Sequence, residues 1–597
     1  MCGIFGYIGK QNNAAGMILE GLKLLEYRGY DSWGIAVKDH KSNDLPNITN
    51  HKEIAVQKHI GKIGDASVNL PDSFMGIGHT RWATHGGVTE NNAHPHLECG
   101  GKIAVIHNGI VENFNEIKDE LIAKGHIFRS DTDTEVIPHL IEENLKSTGF
   151  ASAVRDAFNR LTGLNAIVVL YTISQELVAA KTGSPLIIGE KNGDLYIASD
   201  ASGIIKHTNK LIFLKDKQMA ILGKSLQIFQ LPDGNKIDLL FETVDWKVEE
   251  IDKGNYEHFM LKEIYDQPKI IRNIAENYQD QILNLSEIIK NAHGTFLIGA
   301  GTAYYAALAG SYLFSKIAGL HVNTAVASEF NYLEDFLTNK SMIIALTQSG
   351  ETIDVVEPLQ RAKLKGSKIG TIVNSLGSTI YRMSDEKILL GAGPEKAVAS
   401  TKAYTAKLAV LLMLSYTLAG KVEEAKKELI KTSKEIEAQL SVDKLDEIYK
   451  LVELLYNVEH IYVIGRGASF PTSLEAALKI KEVSYIHTEG LAGGELKHGT
   501  LALIEKGTPC IVFAPKDETY EAIISNATEI KARGGFIIGI SPNKSRVFDH
   551  WIEVKDTGTA SIVSQIIPIQ LLSYYLALKK GYDPDKPRNL AKSVTVK

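Results

Sequence analysis

Two stretches of the chain, HGTFLIGAGTAYYAAL at 293–308 and HIYVIGRGASFPTSLEAAL at 460–478, share one pattern: an apolar run, a GxG turn and a helical segment. The first glycines of the two turns, Gly299 and Gly465, stand 166 residues apart. A second pair, SMIIALTQSGETIDVV (341–356) and TPCIVFAPKDETYEAI (508–523), recurs at nearly the same distance. A short apolar strand that enters a helix through a tight turn is the βα unit of a parallel sheet, whose strands must be joined by crossovers. The repetition therefore predicts two doubly wound parallel α/β domains made by duplication, over 257–420 and 435–580, with a tail at 581–597. The polar segment 421–439 between them has a helical period and is expected to be a solvated helix. GxG turns also occur in dinucleotide-binding folds, but the GxGxxG fingerprint is incomplete here and no acidic residue stands at the ribose position, so no cofactor is expected.

The first 240 residues read differently. Short apolar runs such as 103–106 and 166–171 alternate with helical patterns, and Asn-Gly-Asp at 192–194 marks a turn, which predicts a separate mixed α/β domain over 1–240. An irregular, charged linker is expected at 241–256. The opening nonapeptide, MCGIFGYIG, places a cysteine directly behind the initiator methionine. Removal of Met1 would give Cys2 both a thiol nucleophile and a free α-amino group, whose reference pKa of about 7.7 to 8.0 suits a general base near neutral pH.

Three polar clusters follow: HTRWATHG (79–86), HNG (107–109) and SDTDTE (130–135). An amidase acting on a free amino acid needs a cation for the α-carboxylate, an anion for the α-ammonium and donors for a tetrahedral oxyanion. Arg81 offers the first, Asp133 the second, and Asn108 with the backbone N–H of Gly109 the third. The same residues also have plain structural uses as a surface ion pair, a helix cap and a turn. His94 and His96 in HPH lack Cys or carboxylate partners at ligand spacing, and no metal is expected.

Composition narrows the function classes. The chain has 597 residues, with 65 basic against 71 acidic side chains and a formal net charge of -6, so neither nucleic acid nor an anionic membrane surface is an expected partner. No basic-then-apolar leader and no uninterrupted apolar stretch of 18 or more residues is present, and three cysteines, Cys2, Cys99 and Cys510, cannot build a disulfide framework. The expectation is a soluble, cytoplasmic protein.

The N-terminal CGIFG together with EYRGYDS (26–32), HTRWATHG, HNG and TDTE (132–135) resembles the glutaminase domain of the class II glutamine amidotransferases. The repeated half resembles sugar isomerase (SIS) domains, and the tail DKPRNLAKSVTV (585–596) narrows the resemblance to family members that aminate fructose 6-phosphate. This implies an N-terminal-nucleophile αββα glutaminase domain followed by two SIS domains, L-glutamine and fructose 6-phosphate as substrates, internal transfer of ammonia, and a homodimer. By the same resemblance Cys2 is the nucleophile, Asn108 and Gly109 form the oxyanion hole, and Arg81 and Asp133 hold the ends of glutamine. Trp82, Thr84 and His85 line that pocket, with Trp82 gating the ammonia channel.

Turning a 2-keto sugar phosphate into a 2-amino aldose requires ring opening, an amine at C2 and a proton moved from C1 to C2. Segment 473–486 reads as a helix whose i, i+3 pair Lys479 and Glu482 shares a face; a proton carrier and a plain ion pair both fit. The resemblance implies that Glu482 moves the proton, Lys479 assists at a hydroxyl, and Lys592 forms a Schiff base with the open sugar. His498 would open the ring, from its own or the neighbouring subunit. TQSGET (347–352), at a strand end and a helix start, gathers groups that suit a single phosphate: Thr347, Gln348, Ser349 and Thr352. Thr302, Val398 and Ser400, with Lys402 nearby in sequence, are expected around the sugar. The second copy carries APKDET in that place, so the phosphate should belong to the first copy alone. Bacterial members of the family typically read CGTS where this chain has Ala300-Gly301-Thr302-Ala303, which removes a hydroxyl at Ala303. Neither a phosphoribosyl-pyrophosphate motif, an SGGxDS motif nor a helix-turn-helix is found, which argues against other amidotransferases and against a sugar-sensing regulator.

Overall fold

The computed structural model describes residues 2–39, 53–243 and 253–595. Met1 and most of the expected linker, 244–252, lie outside the described residues. The chain divides into two compact units, Met1–Asp252 with Ala591–Lys597, and Lys253–Leu590.

In the first unit an eight-stranded and a seven-stranded antiparallel sheet enclose an apolar layer that includes Ile4, Ile77, Ala104, Ile106 and Val168. Alternate residues of the same strands point the other way. Phe5 turns toward the helix Ala14–Leu25, whose Gly21 leaves room for its ring, and Ile103 and Val105 join Val136, Leu140 and Val154 from the helices Val136–Leu145 and Phe150–Asn159. Both faces of each sheet are thus covered, which is why the strands read as continuous apolar runs, and the layers stack αββα. The strand Gly3–Ile8 lies between Met75–Arg81 and Asp194–Ala198. The turn expected at 192–194 is the hairpin between Ile187–Lys191 and Asp194–Ala198, with Asn192 and Gly193 at φ 56° and 89°.

The second unit holds two five-stranded parallel sheets. Across the first the strands run Asn323–Val326, Thr295–Gly299, Met342–Thr347, Lys368–Val373 and Glu386–Leu389. Across the second they run His487–Ala492, His460–Gly465, Pro509–Phe513, Phe536–Ser541 and His550–Glu553. Both follow the order 2-1-3-4-5, as duplication requires. The helices Thr302–Leu313 and Ser469–Ser484, one from each copy, pack together, and residues of both copies share one core.

The segment expected to be a solvated helix is corrected by the structure. The helix Val422–Gln439 buries Ala425, Leu429 and Ile436 against Phe259–Asn277 and its surroundings. Its apolar stripe is narrow and is widened by short polar side chains: Ser433 Oγ donates to the Pro268 carbonyl at 2.8 Å and Thr432 Oγ1 to Thr557 Oγ1 at 2.9 Å. Among the described residues one helical stretch, Gly558–Lys579, is long and apolar enough to cross a bilayer, and 94% of its most apolar window is buried, as befits a core helix.

Four histidines of the first unit, His79, His94, His96 and His107, are buried together, with ring centroids 4.1 Å apart for His79 and His94 and 4.7 Å for His94 and His96. Desolvation holds all four below the ordinary imidazole value, His79 at about 3, and neighbouring rings and Arg81 push His79, His94 and His96 the same way. All four are therefore neutral at physiological pH. An unfolded imidazole takes up a proton below about pH 6.5, whereas folded His79 does so only near 3, so the unfolded state binds the extra proton and stability falls as pH drops from about 6.5 toward 3. His79 alone should account for about 2 kcal/mol of lost stability between pH 7 and pH 5. Urea unfolding of the first unit's transition at the two pH values measures this, and His79→Gln should flatten the dependence.

Candidate active site

Gly3 pairs with Thr80, which sets the residue before one strand beside the residues after the other. Cys2 Sγ consequently accepts the Trp82 N–H at 3.2 Å and lies 3.6 Å from the Trp82 carbonyl. The Cys2 carbonyl accepts from Asn108 Nδ2 at 2.9 Å and from Arg28 Nε at 3.3 Å. A Cβ on Gly3 would stand 2.5 Å from Thr80 Oγ1 and 2.9 Å from Leu25 Cβ, so the residue after the cysteine must be glycine. The EYRGYDS motif acts on this main chain from below. Arg28, paired with Asp200 at 3.2 Å, holds the Cys2 carbonyl, and Asp31 Oδ2 accepts the Ala83 N–H at 2.9 Å, which fixes the turn after Trp82.

Cys2 opens on a cleft of about 480 Å³, its open mouth included. Arg81, Trp82, Thr84, His85, Asn108, Gly109 and Asp133, the residues expected from the sequence, all line it. His79 Nε2 faces two acceptors, Asn108 Oδ1 and the His107 carbonyl, each at 3.0 Å, so the neutral ring carries its proton on Nε2 and orients the Asn108 amide. One N–H of that amide is on the Cys2 carbonyl; the second is available to the cleft. Gly109 adopts φ 134°, and a Cβ there would meet the Leu164 carbonyl at 2.2 Å, so only glycine fits. Arg81, 4% exposed, donates to the carbonyls of His85, Gly86 and Gly87, so its fork also shapes the lip of the cleft. Burial lowers the guanidinium's pKa, against the pull of Cys2, Asp31 and Asp133. Asp133 Oδ2 accepts the Val111 N–H at 2.7 Å, and His107 ties HNG to TDTE through Thr134 Oγ1 at 2.9 Å.

The sequence reading missed several contributors. Arg28 and Asp31 sat in a quoted motif without a role, and Thr80 and Ser199, whose hydroxyls accept the N–H groups of Gly3 and Ile4 at 3.0 Å, carry no sequence signal. Thr595 of the tail also lines the cleft.

In the second unit TQSGET joins Met342–Thr347 to the helix Ile353–Leu364. Thr347 Oγ1 accepts the Gly350 N–H at 3.1 Å, Ser349 Oγ accepts the Glu351 N–H at 3.2 Å, and Thr352 is the N-cap residue. The Gln348 carbonyl accepts from Asn374 N and Ser375 Oγ, both at 3.2 Å. Ser400 Oγ donates to Glu395 at 2.9 Å, the Val398 N–H to the Asp585 carbonyl at 2.9 Å, and Lys402 pairs with Asp266 at 3.2 Å.

Lys479 is fully buried on Ser469–Ser484, its Nζ 2.5 Å from Glu482 Oε2 and 3.5 Å from Glu475 Oε1. Burial alone would lower the ammonium's pKa, but Glu475 and Glu482 outweigh it and hold it above the usual lysine value. Burial pushes the Glu475 carboxyl up to about 8, against Lys479 and with Glu482, beside the Thr302 hydroxyl. Glu475 is thus a third member of the pair expected from the sequence; its i, i-4 spacing to Lys479 was the available signal. His498 ends the turn Gly493–His498, is exposed, and among the described residues makes no hydrogen bond or ion pair with Lys479 or Glu482. Lys592 belongs to the tail segment grouped with the first unit, whereas Lys479, Glu482 and His498 belong to the second.

Residues 79–206 match the family model described as "Glutamine amidotransferase domain", and 288–416 and 454–577 match "SIS domain". Over all of both chains, the protein is 44% identical to the glutamine–fructose-6-phosphate aminotransferase (isomerizing) of Pyrococcus horikoshii and 43% identical to that of Thermococcus kodakarensis. The solved C-terminal domain of glucosamine-fructose-6-phosphate aminotransferase from Francisella tularensis is 32% identical, with a TM-score of 0.52, and the match covers 56% of this chain and 100% of that one. Full-length identity at this level, spanning Cys2 and both repeats, means that the chain belongs to the glutamine–fructose-6-phosphate aminotransferase (isomerizing) family.

Proposed function

We infer that the protein hydrolyses L-glutamine and passes the ammonia internally to fructose 6-phosphate, yielding glutamate and glucosamine 6-phosphate. The observation that carries the glutaminase half is the convergence of Cys2, Asn108, Gly109, Arg81 and Asp133 on one cleft. Once Met1 is removed, the α-amine of Cys2 takes the thiol proton and the thiolate adds to the glutamine amide carbon. The oxyanion receives the Gly109 N–H and the second N–H of Asn108, the nitrogen leaves as ammonia with the transferred proton, and water releases glutamate from the thioester. Arg81 and Asp133 select a free amino acid by its two charges, within a pocket completed by Trp82, Thr84 and His85.

For the sugar half we assign the phosphate to the TQSGET loop and the proton transfer from C1 to C2 to Glu482, with Lys479 between it and Glu475. Thr302, Val398 and Ser400 surround the sugar, and Lys592 forms the Schiff base. The exposure of His498 supports ring opening by a neighbouring subunit, hence a homodimer. The reading divides the chain into a glutaminase domain (1–240), a linker (241–256), two SIS domains (257–420 and 435–580) and a tail (581–597). Its free cysteines suit the cytoplasm.

Glutamate release measured with and without fructose 6-phosphate tests the whole reading: release that the sugar phosphate leaves untouched, with no amino sugar formed, would refute it. Cys2→Ala should abolish glutamine hydrolysis and leave sugar-phosphate isomerisation measurable. Ala303, at the second position of Thr302–Leu313, carries a methyl where the resemblance to bacterial members implies a serine hydroxyl facing the phosphate. A hydrogen bond to a charged group is worth about 1.5 to 3 kcal/mol, so Ala303→Ser should tighten fructose 6-phosphate binding about ten- to a hundredfold in calorimetric titration, with glutaminase chemistry unchanged.

A further inference from the structure

Away from the Cys2 cleft, the first unit gathers four side chains from three segments. Cys99 follows the short strand His96–Leu97, His126 follows the helix Phe114–Ala123, and His139 and Glu142 lie one turn apart on Val136–Leu145. The ligand atoms Cys99 Sγ, His126 Nδ1, His139 Nδ1 and Glu142 Oε2 all lie within 4.8 Å of one another. The two imidazole nitrogens are 3.2 Å apart, Glu142 Oε2 is 3.0 Å from His126 Nδ1 and 3.6 Å from His139 Nδ1, and the sulfur is 3.8 Å and 3.6 Å from the same nitrogens.

We propose that this cluster is a tetrahedral zinc site. Bonds of about 2.0 to 2.2 Å to nitrogen and oxygen and about 2.3 Å to sulfur give tetrahedral edges of roughly 3.3 to 3.6 Å, close to five of the six distances observed, 3.0 to 3.8 Å, while the sulfur–carboxylate pair lies within 4.8 Å. The second atoms of the rings point the same way. His126 lies between two carboxylates and as a neutral ring can donate to only one of them; with Nε2 donating to Glu143 Oε1 at 2.9 Å, its Nδ1 lone pair faces the Glu142 carboxylate. Two lone pairs then face each other 3.0 Å apart, an arrangement a cation resolves. His139, 1% exposed, has Nε2 directed at Glu135 at 3.9 Å and without a hydrogen-bond partner, again leaving Nδ1 for the centre. Carboxylates behind both imidazoles are the usual outer partners of histidine ligands. A doubly protonated His126 would answer Glu142 and Glu143 but gives Cys99 no part, whereas one divalent cation engages all four. A mixed set of one thiolate, two imidazoles and one carboxylate suits zinc over calcium or magnesium.

The cluster closes on both sides. The Glu98 carboxylate gathers the N–H groups of Gly101, Lys102 and Ile103 and so shapes the loop bearing Cys99. Glu135 accepts from Arg129 N at 2.8 Å and from Ser130 N and Oγ at 2.7 Å, and it ends the turn Asp133–Glu135. A zinc ion would therefore pin Val136–Leu145 and the turn that carries Asp133 to two loops. Four protein ligands leave no open position, so the role is structural.

The test uses the full chain in a Cys2→Ala background, which removes the other cysteine that is not buried. Expected are about one zinc per chain by elemental analysis after exhaustive dialysis, an X-ray absorption spectrum with one sulfur and three nitrogen or oxygen scatterers, and a lower melting temperature after chelation. Cys99→Ser should lose the sulfur scatterer. Glu143→Gln, which leaves all four ligands in place, should weaken zinc binding about ten- to a hundredfold. Overturning results would be a chain that purifies without zinc and whose apo form does not bind it in titration, the mark of a protonated-imidazole network alone. Zinc binding unchanged in both variants would equally refute the site.

Discussion

The antiparallel pairing of Gly3–Ile8 with Met75–Arg81 is the contact on which the glutaminase half depends. It places Trp82 N–H on the Cys2 sulfur and, through Thr80 Oγ1, holds the main chain just after Cys2. A slip of one residue would turn Phe5 and Tyr7 into the layer between the sheets, where Ile4 and Ile77 now sit, so the register is fixed by the core and not by the site. Catalytic geometry is inherited from packing. The partners then arrive from the other sheet: Asn108 ends the strand Ile103–Asn108 and crosses to the Cys2 carbonyl.

Around that contact the charge is kept simple by burial. Four histidines that would add positive charge beside Arg81 are held neutral, chiefly by desolvation, and serve as fixed donors and acceptors: His79 orients Asn108, His107 ties HNG to TDTE, and His96 meets Thr132 Oγ1 at 3.1 Å. A neutral ring that donates from one known nitrogen defines a direction, which a protonated ring, donating from both, would not. The glutamine-binding charges assigned to Arg81 and Asp133 therefore stand out against an uncharged, hydrogen-bonded background.

Much of this was legible in the sequence, and the exceptions share a cause. The helix Val136–Leu145, the strand Ala166–Tyr171 and the repeated βα units follow from local periodicity, and the motif residues of the glutaminase cleft gathered as the resemblance implied. What local pattern cannot carry is a contact between distant segments. Val422–Gln439 looked solvated because Thr432 and Ser433 count as polar until Thr557 and the Pro268 carbonyl satisfy them. Cys99, His126, His139 and Glu142 have no ligand spacing to recognise, since three loops and helices must fold before their donors meet. Glu475 was missed for a different reason: one charge beside Lys479 looks like an ordinary helix pair until burial removes the water.

The two copies in the second unit keep one topology and diverge in chemistry. At the first copy's strand end, TQSGET turns hydroxyls and N–H groups on its own loop at the start of the helix Ile353–Leu364, and the Glu351 carboxylate is taken by the Thr379 N–H at 2.8 Å. The second copy places APKDET there, and its contribution lies instead on Ser469–Ser484, where Lys479 sits between Glu475 and Glu482. A buried ammonium between two carboxyl groups is a poor way to gain stability, because desolvating an ion costs several kcal/mol before any attraction is counted, and the Glu475 carboxyl, pushed up to about 8, is largely protonated near neutral pH. Position offers another reason for it: Thr302, at the start of the first copy's helix, stands beside Glu475, so the packed pair of helices joins the TQSGET half of the unit to the Lys479 cluster of the other half. Duplication supplied two equivalent βα units, and in the contact between Thr302–Leu313 and Ser469–Ser484 they meet with different side chains.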